Sequence, residues 1–155
     1  MAYEFIGQAA ENTANAFAQH IITNQNQPID STIIKNIWEQ EIINLGYSPA
    51  SAKGSLTVFK ALAEAGYIKG VPSGAYLKNT IKPQPVYPCN KDRAIALRDQ
   101  IVLNGYAWPT FSDTKNQYDD PDLWDNISKQ LGLKEVDSDG CVAVIRGLFN
   151  AGILI

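Results

Sequence analysis

Residues Ser48–Leu77, SPASAKGSLTVFKALAEAGYIKGVPSGAYL, decide the fold expected of this chain. Ser48 can cap a helix, and Pro49 suits its first position, where a missing N–H costs nothing. The spacing predicts a helix over 49–65, and Gly66 suits the left-handed residue that ends it. Beyond it, Tyr67–Val71 and Ala75–Leu77 flank Pro72-Ser73-Gly74, a turn signal, and the pattern predicts a small β-hairpin. On a helical wheel Ala52, Leu56, Phe59 and Ala63 form one apolar face. Gly54, Val58, Ala61 and Ala65 form a second face of small residues, where Gly54 is expected to admit a close helix neighbour. Lys53, Thr57, Lys60 and Glu64 form a narrow polar stripe between them.

Working outward, Ile33, Ile34, Ile37, Trp38, Ile42 and Leu45 give the preceding segment an apolar stripe that starts at Asp30 or Ser31 and stops at Gly46. A first helix is expected near 3–24 from Phe5, Ile6, Ala9, Ala10, Thr13, Phe17 and Ile21, with an alanine-rich face fit for close packing. Two amphipathic helices, a capped third helix and a hairpin follow the ordering of a winged helix-turn-helix. On the other side, Pro83, Pro85 and Pro88 mark a semi-extended linker. Asn90 then caps a fourth helix, expected over 91–104, whose end is marked by Gly105.

The rest of the chain repeats this plan. A shift of 86 positions aligns residues 37–68 with 123–154 without a gap. Eight of the 32 aligned positions are identical, Trp38/Trp124, Leu45/Leu131, Gly46/Gly132, Gly54/Gly140, Val58/Val144, Leu62/Leu148, Ala65/Ala151 and Gly66/Gly152, where ordinary residue usage gives about two. The expected fold is therefore mainly α, a tandem pair of three-helix winged-helix-like units with a small β-hairpin. Residues 1–82 form the first unit, 83–89 the linker and 90–155 a second unit with at most the first strand of a wing. In the second unit Asp120 is expected to cap a fifth helix with Pro121 at its first position.

Several motifs carry a resemblance. Lys53-Gly54, the turn from Leu62 to Gly66, KGVPSGAY over Lys69–Tyr76, Asn90-Lys91, Ala96-Leu97-Arg98, Leu123-Trp124 and Gly152-Ile153-Leu154 resemble an uncharacterised bacterial family of small proteins, a domain of unknown function. The KGxPxGxY segment is its most specific part. The family pattern has an arginine shortly after the Lys-Gly pair, whereas Ser55-Leu56-Thr57-Val58 follow Gly54 here. The resemblance implies no activity.

Composition excludes several function classes. The 155 residues are 45% hydrophobic with a net charge of −3, and no apolar run approaches a membrane span. The acidic N-terminal segment lacks the look of an export signal, so the expected location is the cytoplasm. Cys89 and Cys141 have neither disulfide-framework nor zinc spacing. His20, the one histidine, has no cysteine partner in a recognisable catalytic signature and reads as structural. No phosphate-binding or zinc-hydrolase motif is present. Glu135, Asp137, Asp139 and Gly140 imitate the opening of a calcium loop, but Arg146 stands where a bidentate glutamate is required. No catalytic residue, metal ligand or cofactor is therefore assigned.

Two surfaces remain. Lys53, Lys60, Lys69, Lys78 and Lys82 face only Glu64 over residues 48–82, and a DNA-reading surface would comprise Lys53, Thr57, Lys60, Lys69 and Lys78. The segment GYAWPTFSDTKNQY, 105–118, brings Tyr106, Trp108, Phe111 and Tyr118 into one loop. These aromatics either close over the core or form a patch for a protein partner. The absence of arginine before residue 93 and the acidic second half favour a non-enzymatic interaction or adaptor role. A regulator that binds double-stranded DNA through the third helix and wing is the alternative.

Overall fold

A computed structural model describes residues 3–25, 31–77, 90–109, 118, 120–133 and 140–155. Its helices are α1 (Glu4–Thr23), α2 (Ser31–Asn44), α3 (Lys53–Glu64), α4 (Asn90–Arg98), α5 (Pro121–Gln130) and α6 (Cys141–Asn150). They cover nearly all the helices expected, and the architecture is mainly α.

Two helix ends depart from the expected form. A 3-10 turn, Pro49–Ala52, precedes α3, capped by Ser48 through Ala50 N–H. It is set off from α3 because Ala52 leaves helical geometry at φ −132°. The fourth helix runs into a π-turn, Asp99–Leu103, where Asn104 N–H donates to Asp99 O over 3.1 Å and Tyr106 N–H to Gln100 O over 3.1 Å. This widened turn redirects the chain at Gly105, φ +64°.

Four helices end in one pattern, a left-handed glycine with two crossed backbone hydrogen bonds. After α2, Tyr47 N–H donates to Ile42 O and Gly46 N–H to Ile43 O. After α5, Leu133 and Gly132 donate to Ser128 and Lys129 in the same way. Tyr67 and Gly66 close α3 onto Leu62 and Ala63, and Ile153 and Gly152 close α6 onto Leu148 and Phe149. The glycines stand at φ +90°, +65°, +79° and +72° for residues 46, 132, 66 and 152, a region costly for a side chain with a Cβ.

One core runs through the molecule. Phe17, Ile34, Trp38, Phe59 and Leu62 from the first half and Leu97, Trp124, Val144 and Leu148 from the second belong to the same buried cluster. Each half contributes a first helix that packs on the third helix of the other, α1 on α6 and α4 on α3, while α3 and α6 also touch. The alanine-rich face of α1 meets its neighbour at Gly7 and Gly147. A Cβ on Gly147 would overlap the Gly7 backbone, 2.5 Å from its Cα. Gly54 faces only the Asn90 amide, 3.5 Å from where a Cβ would stand, so its expected close approach is loose.

The expected hairpin does not form. Among the described residues the one β-bridge joins Ile68 to Leu154, antiparallel. Lys69 N–H donates to Ile153 O over 2.8 Å and Ile155 N–H to Tyr67 O over 2.9 Å. The edge that a hairpin partner would occupy is thus taken by the end of the chain. Residues 69–77 instead form a strap across the end of α1. Gly70 lies against Ala18, and Tyr76 is buried edge-on to Phe17 at 5.8 Å. The Tyr76 hydroxyl donates to Pro72 O over 2.6 Å and Leu77 N–H to the Glu64 carboxylate over 3.2 Å. A projecting wing is replaced by a segment tied down along its length. The linker 83–89 lies outside the described residues.

Candidate partner-binding face

Of the residues assigned to DNA, Lys53, Thr57 and Lys60 lie along α3, and Lys69 follows the bridge residue Ile68. Lys53 and Lys69 are exposed, Thr57 and Lys60 are half-buried, and Lys78 lies outside the described residues. Helix α3 is enclosed by α2, α4 and α6. Glu64, at the end of its polar stripe, pairs with Lys91 of α4 at 3.4 Å. The stripe that would enter a DNA groove is therefore flanked by α4 and ends under the strap.

The aromatic segment gathers around one arginine. Gly105 turns the chain after α4, so that Tyr106 and Trp108 fold back toward α5 and α6. Tyr106 and Trp108 meet edge-to-face at 5.0 Å, and Trp108 lies 5.7 Å from Phe149 on α6. The Arg146 guanidinium stacks over the Trp108 ring, 4.2 Å from its centroid, a favourable cation–π arrangement. Tyr118 packs at the α1–α6 crossing, where a Cβ on Gly7 would stand 2.9 Å from its ring. Tyr106, Trp108 and Tyr118 are each half-buried, so the segment closes over the core as well as presenting an edge. Phe111 lies outside the described residues. Phe149 is 42% exposed and extends the cluster to the surface.

Asp120 anchors this cluster from beneath. It caps α5 as expected, accepting from Leu123 N–H over 3.3 Å, with Pro121 at the first helical position. Its other oxygen accepts the Tyr106 hydroxyl over 2.8 Å. It is the sole described non-glycine residue at positive φ, +35°, a geometry that aspartate tolerates better than most residues. Burial pushes its carboxyl above the usual carboxylate range, although the Tyr106 and Leu123 hydrogen bonds act the other way. Burial together with the Asp120 hydrogen bond pushes the Tyr106 phenol up, beyond its ordinary range. Burial lowers the Arg146 guanidinium, opposed by Tyr118, Asp120 and Tyr106. The arginine stays charged, because its unperturbed value is so high.

Arg146, Phe149 and Asp120 complete the face and were not placed on it by sequence reasoning. Arg146 stands in the sequence as the misfit of a calcium loop, and its three-residue spacing to Phe149 puts both on one side of a helix. Buried Arg93 was also missed. It lies over Trp124 at 5.0 Å and donates through Nε to Ser128 Oγ over 2.9 Å, an internal brace between α4 and α5.

Of the other candidates, His20 lies on α1 and Cys141 opens α6. His20 stacks beside Phe17 at 6.4 Å with Asn24 at 3.3 Å from Nδ1. Cys141 is buried in α6, while Cys89, Glu135, Asp137 and Asp139 lie outside the described residues. Among the described residues no helix is long and apolar enough to cross a membrane. Comparison with known proteins finds no matching family model, no similar curated protein and no similar solved structure.

Proposed function

We propose that the protein is a non-enzymatic interaction module that binds a protein partner through the face formed by Trp108, Arg146 and Phe149. The observation that carries this reading is the stack of Arg146 on Trp108 beside Phe149, whose ring reaches the surface. Aromatic residues and arginine dominate the energetics of protein interfaces when they are held rigidly. Here the tryptophan is held by Tyr106, whose hydroxyl is fixed by Asp120, so little order has to be acquired on binding.

Duplex DNA is the weaker reading. A recognition helix must project its side chains into a groove about 12 Å wide, whereas α3 is packed on several sides and its end is tied to α4 through Glu64 and Lys91. Exposed Lys53 and Lys69 remain compatible with nonspecific attraction to an anionic surface.

The test compares Phe149→Ser with the double variant Lys53→Glu/Lys60→Glu. Phe149→Ser should lose partner capture from a cell extract at unchanged melting temperature, and the lysine variant should retain it. Duplex binding at about 50 mM salt that disappears in the lysine variant would reverse the assignment.

A further inference from the structure

Three arginines occur in the chain, at 93, 98 and 146, and each lies over an aromatic ring. Arg93 covers Trp124 at 5.0 Å, Arg98 covers Tyr67 at 3.8 Å and Arg146 covers Trp108 at 4.2 Å. In the first two, Nε donates to an internal oxygen, Ser128 Oγ for Arg93 and Ile155 O for Arg98, each over 2.9 Å. Arg98 also pairs with the Asp99 carboxylate. Arg146 differs. Its Nε and Nη1 are enclosed, and neither has an acceptor among the described residues. The indole Nε1 of Trp108, in the same stack, is enclosed in the same condition.

Three donors of one stack are thus withdrawn from water without a replacement, which is costly for a neutral N–H and more so for a charged one. Asp120 does not relieve them. Its two oxygens accept from Leu123 N–H and from the Tyr106 hydroxyl, and none of the ion pairs among the described residues includes Arg146. Thr13 Oγ1 and Trp38 Nε1 are likewise enclosed, but both residues are fully buried, on α1 and α2, and reach no surface. Trp108 and Arg146 are half-buried, and Phe149 beside Trp108 is 42% exposed. The donors of this stack therefore lie at the edge of a surface that a partner can cover.

We propose that the Trp108–Arg146 stack receives a carboxylate side chain of the partner protein, with an apolar neighbour of that residue lying on Phe149. This inference rests on the reading of the same face as a partner-binding surface and adds the chemistry of what it binds. A carboxylate pairs with a guanidinium through two adjacent N–H groups, and every such pair includes Nε or Nη1, the nitrogens that lack an acceptor. The stacked indole holds the guanidinium plane, so little order is lost when the pair forms. The charge selects a monoanion. Phosphate groups are held by clusters of arginine, whereas here one arginine stands over Trp108, and Asp120 and exposed Asp122 already place negative charge beside Tyr106.

The probe is a blocked tripeptide with glutamate between two leucines, titrated into the full chain while the indole N–H signal of Trp108 and the Nε–H signal of Arg146 are followed by NMR. Saturable shifts of both are expected at about 1 mM peptide. The same peptide with glutamine in place of glutamate should bind about tenfold more weakly, as should the glutamate peptide on Arg146→Gln, read at Trp108. Should Arg146→Gln fail to fold, Arg146→Lys serves in its place, and it too should bind more weakly because an ammonium cannot offer two parallel N–H bonds. No shift at several millimolar glutamate peptide would overturn the proposal, as would equal binding of the glutamine peptide. Tighter binding of the corresponding phosphoserine peptide would assign the stack to a phosphate and also overturn it. Partner capture separates this failure from failure of the face. Capture lost in Phe149→Ser but kept in Arg146→Gln overturns the carboxylate alone, whereas capture kept in both overturns the face and the carboxylate with it.

Discussion

The two crossings that interlock the halves differ in how closely the third helix of each is approached. Where α1 crosses α6, Gly147 touches the Gly7 backbone and leaves no room for a Cβ. Where α4 crosses α3, the aligned residue is Ala61, which is buried with its methyl group in place. The aligned glycines diverge as well. Gly140 is the left-handed residue before α6, at φ +82°, and a Cβ there would overlap Ile6 and stand 3.1 Å from Ser55 Oγ. Gly54 sits inside α3 with open space save for Asn90. A repeated stripe of small residues thus marks two contact faces, but only one of them demands glycine.

The sharpest test of this difference is Gly147→Ala. It should destabilise the protein by about 3 kcal/mol, since inserting a carbon into a close-packed backbone contact exceeds what helix propensity returns. For a chain of this size, that corresponds to a fall in melting temperature of roughly 6–12 °C. A variant that melts with the native protein would erase the distinction between the crossings.

The next effect belongs to Asp120, which serves a cap and a tyrosine at once. Asp120→Ala should cost about 1–2 kcal/mol in denaturant unfolding, since it removes the cap and leaves the Tyr106 hydroxyl without its acceptor. Asp120→Asn keeps an acceptor and tolerates the left-handed backbone, so it should cost less. The pH dependence separates the two roles. The folded-state value of Asp120 is raised, so the native state holds its proton more tightly than the unfolded chain. This group's contribution to stability therefore falls as pH rises from the ordinary carboxylate value through the higher folded value. Asp120→Asn should flatten that part of the profile, and an unchanged profile would count against a buried carboxylate.

A smaller effect is expected at the strap. Glu64→Ala removes the acceptor of Leu77 N–H and should cost about 1 kcal/mol, whereas Glu64→Gln should retain most of it. The Lys91 partner is 53% exposed, so that ion pair adds little. Equal losses in both variants would make the charge, and not the backbone contact, the source. The smallest effect has the opposite sign. Gly54→Ala should stabilise by up to about 0.8–1.0 kcal/mol, because helix propensity improves and the nearest atom is the end of a flexible side chain. A loss of stability there would mean that the α3–α4 crossing is as tight as its counterpart.

Much of this was legible from residue patterns. The helices follow from apolar periodicity, their ends from Gly46, Gly66, Gly132 and Gly152, and the cap of α5 from Asp120-Pro121, since each signal acts within a few residues of itself. The aromatic segment was legible as a cluster but not as a face. Its geometry depends on Arg146 and Phe149, which arrive from a helix some forty residues later and share no local signal with Trp108. The wing was misread for a related reason. Tyr67–Val71 and Ala75–Leu77 carry the local marks of a hairpin, yet the partner of Ile68 is Leu154, at the far end of the sequence.

The sequence by itself determined the helical class, the helix boundaries to within a residue or two at most ends, the glycine stops and the aligned small-residue stripes. These depend on local backbone preference and on the period at which apolar residues recur. Only the tertiary structure decided that α1 packs on α6 and α4 on α3, that Gly147 and not Gly54 meets a neighbouring backbone, and that the strap lies on α1. Those outcomes depend on which apolar face meets which, and any two faces of similar size and pattern are interchangeable until close packing selects one pairing.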